Sequence, residues 1–346
     1  MPFSSSTGTM TPIRLRRPAL LLKPMLKKSL GLLFESYLSL RPQGLRMILA
    51  YHHVFPSRPT TIHDPAMYVT SATLEMHLRE LNRFFEIVPA DVFFGEGTAM
   101  GRNVCAITFD DGFDDVYRYA YPILKEYHAP ATVFLTISAV EGDRRFWFDD
   151  LFDLANLAVS DSRSDRFIEY WTGAFPTWHP EELCADSIGE LTRRLKGLEG
   201  DVQDAEVARA FAHLAYQRPA ENPAVDWKRI EEMGNWGFTF GSHGLNHVLH
   251  TRLGAVERRL SLRGSLGLLC AKGIPVTRVF SYPNGDWDAN LVSLIRETGY
   301  AGAVTMAPGL AGKQNLYAMP RIGLHENISS TPDLFWFRIL QGAVGR

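Results

Sequence analysis

From residue 46 onward, short apolar runs of strand length alternate with longer stretches whose apolar residues recur at helical spacing. That alternation leaves few folds open. A strand returned by a helix lies parallel to its predecessor, and the helix covers one face of the growing sheet. The runs expected as strands are 47–51, 104–109, 131–136, 238–241, 279–282 and 301–306. Between them, 72–85, 115–127, 227–235, 255–272 and 289–298 are expected as helices; Leu74, Leu78, Leu81 and Phe85 form the stripe of the first. Residues 146–223 break the rhythm with acidic and helical patches and carry Trp147, Trp171 and Trp178. They read as a mainly helical insertion in an α/β domain that spans 46–346.

A chain of 346 residues has room for one large core or two modest ones. Its net charge of -2 gives nucleic acid no electrostatic footing as the main partner. Cys105, Cys184 and Cys270 lie far apart and form no CxxC pair, so neither a zinc knuckle nor a disulfide framework is expected. Residues 1–45 differ from the rest. Arg14, Arg16, Arg17, Lys23, Lys27 and Lys28 make a basic arm with no apolar stretch near the roughly 20 residues that span a bilayer. Within it, 24–40 reads as an amphipathic helix with Leu26, Leu30, Leu33 and Tyr37 on one stripe. That helix is expected either to pack on the domain or to rest on an anionic membrane surface. No secretory leader is recognised, so a cytoplasmic protein is expected, with peripheral membrane contact through the arm as the variant of that reading.

The chemistry-bearing residues fall at the ends of the expected strands, where parallel α/β folds gather their active sites. The first group is Thr108-Phe109-Asp110-Asp111-Gly112. Adjacent carboxylates repel and lose hydration when buried, so both stay ionised only beside a cation or strong hydrogen bonds. The bland alternative is an acidic surface turn in which Asp114 and Asp115 cap the next helix. The second group is Ser242-His243-Gly244-Leu245-Asn246-His247. Histidines four apart share a face if the segment is helical and can then share an ion. Ser242 can accept a hydrogen bond from an N–H just downstream. Two imidazoles and one carboxylate make a metal site with open positions; the alternative is a polar loop.

Together these segments resemble the polysaccharide deacetylase family, which shares the NodB homology domain. Its first motif reads TFDDG, as 108–112 do here, and its second reads HS/TxxH, matched by His243 and His247 with Gly244 as the altered position. The resemblance runs from about 47 to 324 and takes in 280–285, Tyr51-His52, Trp147-Phe148-Asp149 and 299–304. It implies a distorted, incomplete (β/α) barrel. It also implies a divalent metal ion, most often zinc, on Asp111, His243 and His247, with Asp110 as the general base. A histidine near the end of the domain supplies the proton to the leaving amine, and His325 stands about where it is expected. His52 and His53 compete for that part, His52 being the one expected to line the site.

Two departures from the family pattern stand out. The third motif commonly carries an arginine that pairs with the base, but Ser281 holds that place, and Asn284 replaces an aromatic residue. Arg321 is the expected substitute, reaching Asp110 from a neighbouring strand. No aspartate–tryptophan pair is found to orient an acid histidine, since Asp286-Trp287-Asp288 comes too early. Tyr282, Pro283 and Asn284 are expected to border the site and to offer an oxyanion donor; Trp147 and Trp171 are expected either to stack on sugar rings or to pack the insertion. The function these features point to is removal of N-acetyl or related acyl groups from amino sugars in an oligosaccharide, polysaccharide or lipid-linked precursor. Hydrolysis of a small amide or imide is the second enzymatic reading. A carbohydrate-binding protein with an inactive site is a third, opposed by the retained Asp110, Asp111, His243 and His247. A haloacid dehalogenase-type phosphohydrolase is excluded, because its two aspartates are separated by one residue.

Overall fold

A computed structural model describes residues 24–40, 44–95, 101–142, 144–198, 202–312 and 315–344. Its strands are β1 (Arg46–Tyr51), β2 (His53–Phe55), β3 (Tyr68–Thr70), β4 (Glu86–Ile87), β5 (Val104–Phe109), β6 (Thr132–Leu135), β7 (Thr239–Ser242), β8 (Val276–Ser281), β9 (Gly302–Val304) and β10 (Ile322–Gly323). Eight of them form one sheet in the order β10-β1-β5-β6-β7-β8-β9, with β4 paired to the start of β5. Every pairing in it is parallel. The sheet curls with helices outside it, an incomplete α/β barrel as the strand–helix rhythm implies.

The continuous apolar runs follow from burial on both faces. Side chains alternate at period two: Ile48, Ala106 and Phe134 fill the barrel interior, whereas Leu49, Ile107 and Val133 meet the outer helices. All six expected strands are present; 104–109 is unchanged and the other ends move by no more than three residues. The largest change is at β8, which starts at Val276 and stops at Ser281, leaving Tyr282 outside it. The expected helix 115–127 divides into a π-helical turn, Val116–Ala120, and a helix, Tyr121–Glu126. Pro122 has no N–H to donate to the preceding turn, which accounts for the break.

The insertion is built from helices Trp147–Ser160, Ser164–Ala174, Ala185–Lys196 and Gln203–His213. Trp171 and Trp178 are fully buried in its core with Phe167, Ile188 and Leu191, so of the two roles open to Trp171 it takes the packing one.

Of the basic arm, residues 1–23 lie outside the described residues. Helix Pro24–Leu40 packs on the C-terminal helix Pro332–Ala343. The stripe expected to face the domain is corrected. Leu26, Leu33 and Tyr37 are exposed, and contact is made by Gly31, Phe34 and Leu38. Gly31 decides this, because a Cβ there would lie 2.0 Å from the carbonyl oxygen of Asp333. Such closeness of two backbones outweighs the apolar periodicity. Among the described residues, no helix is long and apolar enough to cross a membrane.

Candidate active site

β5 delivers the first group. Its ladder with β1 continues through the Asp110 N–H, which donates to the Tyr51 carbonyl at 3.0 Å. The chain then leaves the strand at Asp111 with φ 72° and at Gly112 with φ 85°. A non-glycine residue in the left-handed region is uncommon, and Asp is among those that tolerate it. This turn breaks the strand alternation and lets neighbouring carboxylates face the same end of the barrel. Gly112 is needed twice over, since a Cβ at that position would also sit 2.7 Å from Leu135 Cδ2. Asp115 does not cap the following helix. Its carboxylate instead accepts from His53 Nδ1 at 2.6 Å and from the Val54 N–H at 3.0 Å.

β7 delivers the second group, and the segment after it is not helical. Residues 243–249 form a loop, with φ 88° at Gly244 and 54° at His247. Ser242 Oγ accepts the Gly244 N–H at 3.0 Å and holds the start of that loop. The loop, not helical spacing, brings the two imidazoles to 5.0 Å between ring centroids. His243 Nδ1 lies 2.8 Å from the Ser281 carbonyl. A carbonyl only accepts, so Nδ1 carries the proton and Nε2 is left with its lone pair. Burial pulls the His243 pKa down to about 4, so the ring is neutral near pH 7.

The two groups converge on Asp111. Its Oδ1 is 3.4 Å from His243 Nε2 and 3.1 Å from His247 Nε2. Both carboxylate oxygens are buried, and neither has a hydrogen-bond partner among the described residues. A buried carboxylate left so is costly unless something else satisfies it. Burial pushes its pKa up, yet the adjoining histidines, His247 foremost, hold it well below the usual carboxylate range. Asp111, His243 and His247 each offer one ligand atom, all within 4.8 Å of one another. An oxygen and two imidazole nitrogens at that spacing suit a divalent cation.

Asp110 is satisfied in a different way. Arg321 donates from Nη1 to Oδ1 at 2.8 Å and from Nη2 to Oδ2 at 2.6 Å, and the Ser281 hydroxyl donates to Oδ1 at 3.2 Å. The arginine immediately precedes β10 and is fully buried inside the barrel. Thr108, Thr305 and Ser281 take its remaining donors, and Phe134 lies 5.8 Å beneath the guanidinium. So the arginine absent from the third motif reaches the carboxylate from another strand, and Ser281 joins the same network. Burial raises the Asp110 pKa, but Arg321 more than offsets this and keeps it below the ordinary value.

Above these groups opens a cavity of about 470 Å³, within the usual range for ligand pockets. Asp110, Asp111, His243, His247, His52 and Asn284 all border it. His52 Nε2 stands 4.0 Å from Asp110 Oδ2. Other expected residues do not border it. Arg321 lies behind Asp110. Tyr282 is buried and donates its hydroxyl to the Tyr317 carbonyl at 2.8 Å, and Pro283 is buried beside it. Trp147 borders only smaller adjoining cavities. His325 caps the short helix Glu326–Ser329, with Nδ1 buried and without a hydrogen-bond partner.

His53, expected to stay out of the site, is corrected: it does border the cavity. It stacks on Phe113 at 3.5 Å and lies 3.6 Å from Asp149. Burial works against its charge, but Asp115 and Asp149 raise its pKa to about 10. Of the other walls, Phe148 and Asp149 fall in the segment Trp147-Phe148-Asp149 that the family resemblance takes in, and the rest carry no motif. Phe55, His63, Asp64 and Met67 come from the β2–β3 region, and Arg145, Asp149, Asp153, Thr192 and Lys196 from the insertion or its approach. No spacing marks such residues, because they come together only when the insertion folds back over the barrel mouth.

The family model described as polysaccharide deacetylase matches residues 97–156 and 201–303, passing over 157–200 of the insertion. YxkH of Bacillus subtilis (strain 168), whose name assigns it to the polysaccharide deacetylases, is 21% identical over 289 residues, covering 82% of this chain and 73% of its own. Among solved structures, the deacetylase PplD of Streptococcus pyogenes, determined with acetate, superposes with a TM-score of 0.56 at 16% identity. That alignment covers 85% of this chain and 99% of PplD. A de-N-acetylase from Aggregatibacter actinomycetemcomitans gives 0.53 at 14% identity, covering 84% and 98% of the two chains. These likenesses show the barrel fold, and the sequence match runs through both the strand-end aspartates and the histidine loop. The chain resembles the polysaccharide deacetylases in both motif-bearing segments and in fold, a likeness that supports a hydrolase of carbon–nitrogen bonds.

Proposed function

We propose that the chain removes an N-acetyl or related acyl group from an amino sugar, with Asp111, His243 and His247 holding a divalent cation, most often zinc. The observation that carries this reading is the orphaned Asp111 carboxylate, buried and turned toward two imidazole Nε2 atoms. When bound, the cation lowers the pKa of water and polarises the acyl carbonyl.

Asp110 takes the proton from the water that attacks the acyl carbon. Arg321 and Ser281 keep that carboxylate ionised and aimed, so its orientation costs nothing at the moment of reaction. The Ser281 carbonyl sets the His243 tautomer that leaves Nε2 available. The leaving amine takes its proton from the side of His52, the imidazole that borders the cavity beside Asp110. His325, which the family resemblance puts forward for that part, does not border the cavity.

Acetate release from a panel of acetylated saccharides tests the proposal, with metal removed by chelation and then restored. Activity that survives chelation would sink it, as would the absence of acetate from every saccharide in the panel.

A further inference from the structure

The cavity has two side-chain cations besides its histidines. Arg145 is neutralised within its own wall by Asp150 at 2.7 Å and Asp153 at 2.9 Å. Lys196 is not. Among the described residues no carboxylate lies within 4.0 Å of its ammonium, and its one hydrogen bond goes to Asn284 Oδ1 at 3.3 Å. An ammonium has three donors, so two are left without a protein acceptor among the described residues. Burial pulls the lysine pKa down, and only the more distant fields of Asp111, Asp64 and Asp286 oppose this. A half-buried cation with no carboxylate beside it is well placed to meet an incoming anion.

Its backbone is fixed in place. Lys196 is the last residue of helix Ala185–Lys196, and Arg252, beyond the histidine loop, donates to the Lys196 carbonyl and to that of Leu198 at 2.8 Å. The lysine therefore stands over the His247 side of the site; it borders both the main cavity and the small one it shares with His247 and Asn284. It also falls in the stretch 157–200 that the family model passes over, whereas Asp110, Asp111, His243 and His247 lie inside the matched residues. The shared chemistry and this cation thus come from different parts of the chain.

We propose that Lys196, positioned by Asn284, binds an anionic substituent on the acylated amino sugar, a phosphate or a carboxylate, and so selects charged substrates over neutral ones. This rests on the deacylase reading. It adds that the insertion turns a general deacylase site into one for a negatively charged sugar.

The test compares the zinc-loaded wild type with Lys196→Met and Lys196→Arg on three probes: N-acetylglucosamine, its 1-phosphate and an N-acetylhexosaminuronate. For whichever charged probe is the substrate, Lys196→Met is expected to raise KM about tenfold or more with kcat little changed. KM for the neutral probe stays within about twofold, and Lys196→Arg restores most of the loss. Phosphate and uronate differ in which one responds, and that names the source of the anion. A second readout is calorimetric binding of the same probes to chelated protein, where Lys196→Met should weaken only the charged ones. That measurement stands even if no probe is turned over, so it separates failure of this proposal from failure of the deacylase reading. Equal effects on charged and neutral probes, or none on either, would overturn it and leave Lys196 as a support for Asn284.

Discussion

At the scale of single residues, two neighbouring aspartates do different work because their surroundings differ. Asp110 is filled by Arg321 and Ser281, and Asp111 is left open. Asp110→Asn is therefore expected to lower kcat about 10²–10⁴-fold while zinc content stays near that of the wild type. Asp111→Asn is expected to lose the metal itself, as read by elemental analysis after dialysis. Arg321→Leu would strand a buried carboxylate and cost about 3–5 kcal/mol of stability, seen as a lower denaturation midpoint. An unchanged midpoint would mean that the network is not structural. For the proton to the amine, His52→Gln should reduce kcat more than His325→Gln. The reverse order would return that role to His325. Asp110, Asp111, His243 and His247 were legible in the sequence because each group is contiguous and sits at a strand end. Arg321 was legible only as a gap, from the missing partner in the third motif, since 211 positions separate it from Asp110.

At the scale of elements, backbone approach and turn geometry overrode apolar periodicity. Helical spacing proposed a stripe for Pro24–Leu40 that the fold leaves in solvent, because Gly31 lets the helix settle directly on Pro332–Ala343. Gly31→Val is expected to cost about 1–3 kcal/mol through overpacking and to leave deacylation unchanged, because no residue of either helix borders the cavity. A thermal midpoint equal to that of the wild type would show that the two helices part without penalty. The histidine loop carries the same lesson. Spacing of four would pair the imidazoles if the segment were helical, but Gly244 and His247 in the left-handed region make a turn that does the same job.

At the scale of the whole molecule, the buried His77 and the half-buried His53 set opposite limits on the pH range of stability. His77 bridges the Tyr51 hydroxyl at 3.1 Å and the Ser329 carbonyl at 2.7 Å, joining β1 to the C-terminal region. Burial lowers its pKa from 6.5 to about 4, so its contribution is full above 6.5 and is lost as pH falls through 4. His53 is shifted the other way, from 6.5 to about 10, by Asp115 and Asp149 against the effect of burial. Its contribution is full below 6.5 and is lost as pH rises through 10. Thermal midpoints between these limits should therefore peak near neutrality, and His53→Gln should flatten the alkaline limb alone. Equal alkaline limbs in the two proteins would rule out His53 as their cause.

By itself the sequence determined what is local. Apolar runs named the strands, helical spacing most of the helices, and paired motifs the aspartates and histidines, because each signal lies within a few residues along the chain. Tertiary structure alone decided what surrounds those groups: the arginine beneath Asp110, the partners of His53, and the insertion helix that sets Lys196 over the cavity. Such contacts join residues from 62 to more than 200 positions apart. Nothing in local periodicity records them, since they exist only once the sheet has curled and the insertion has closed over its mouth.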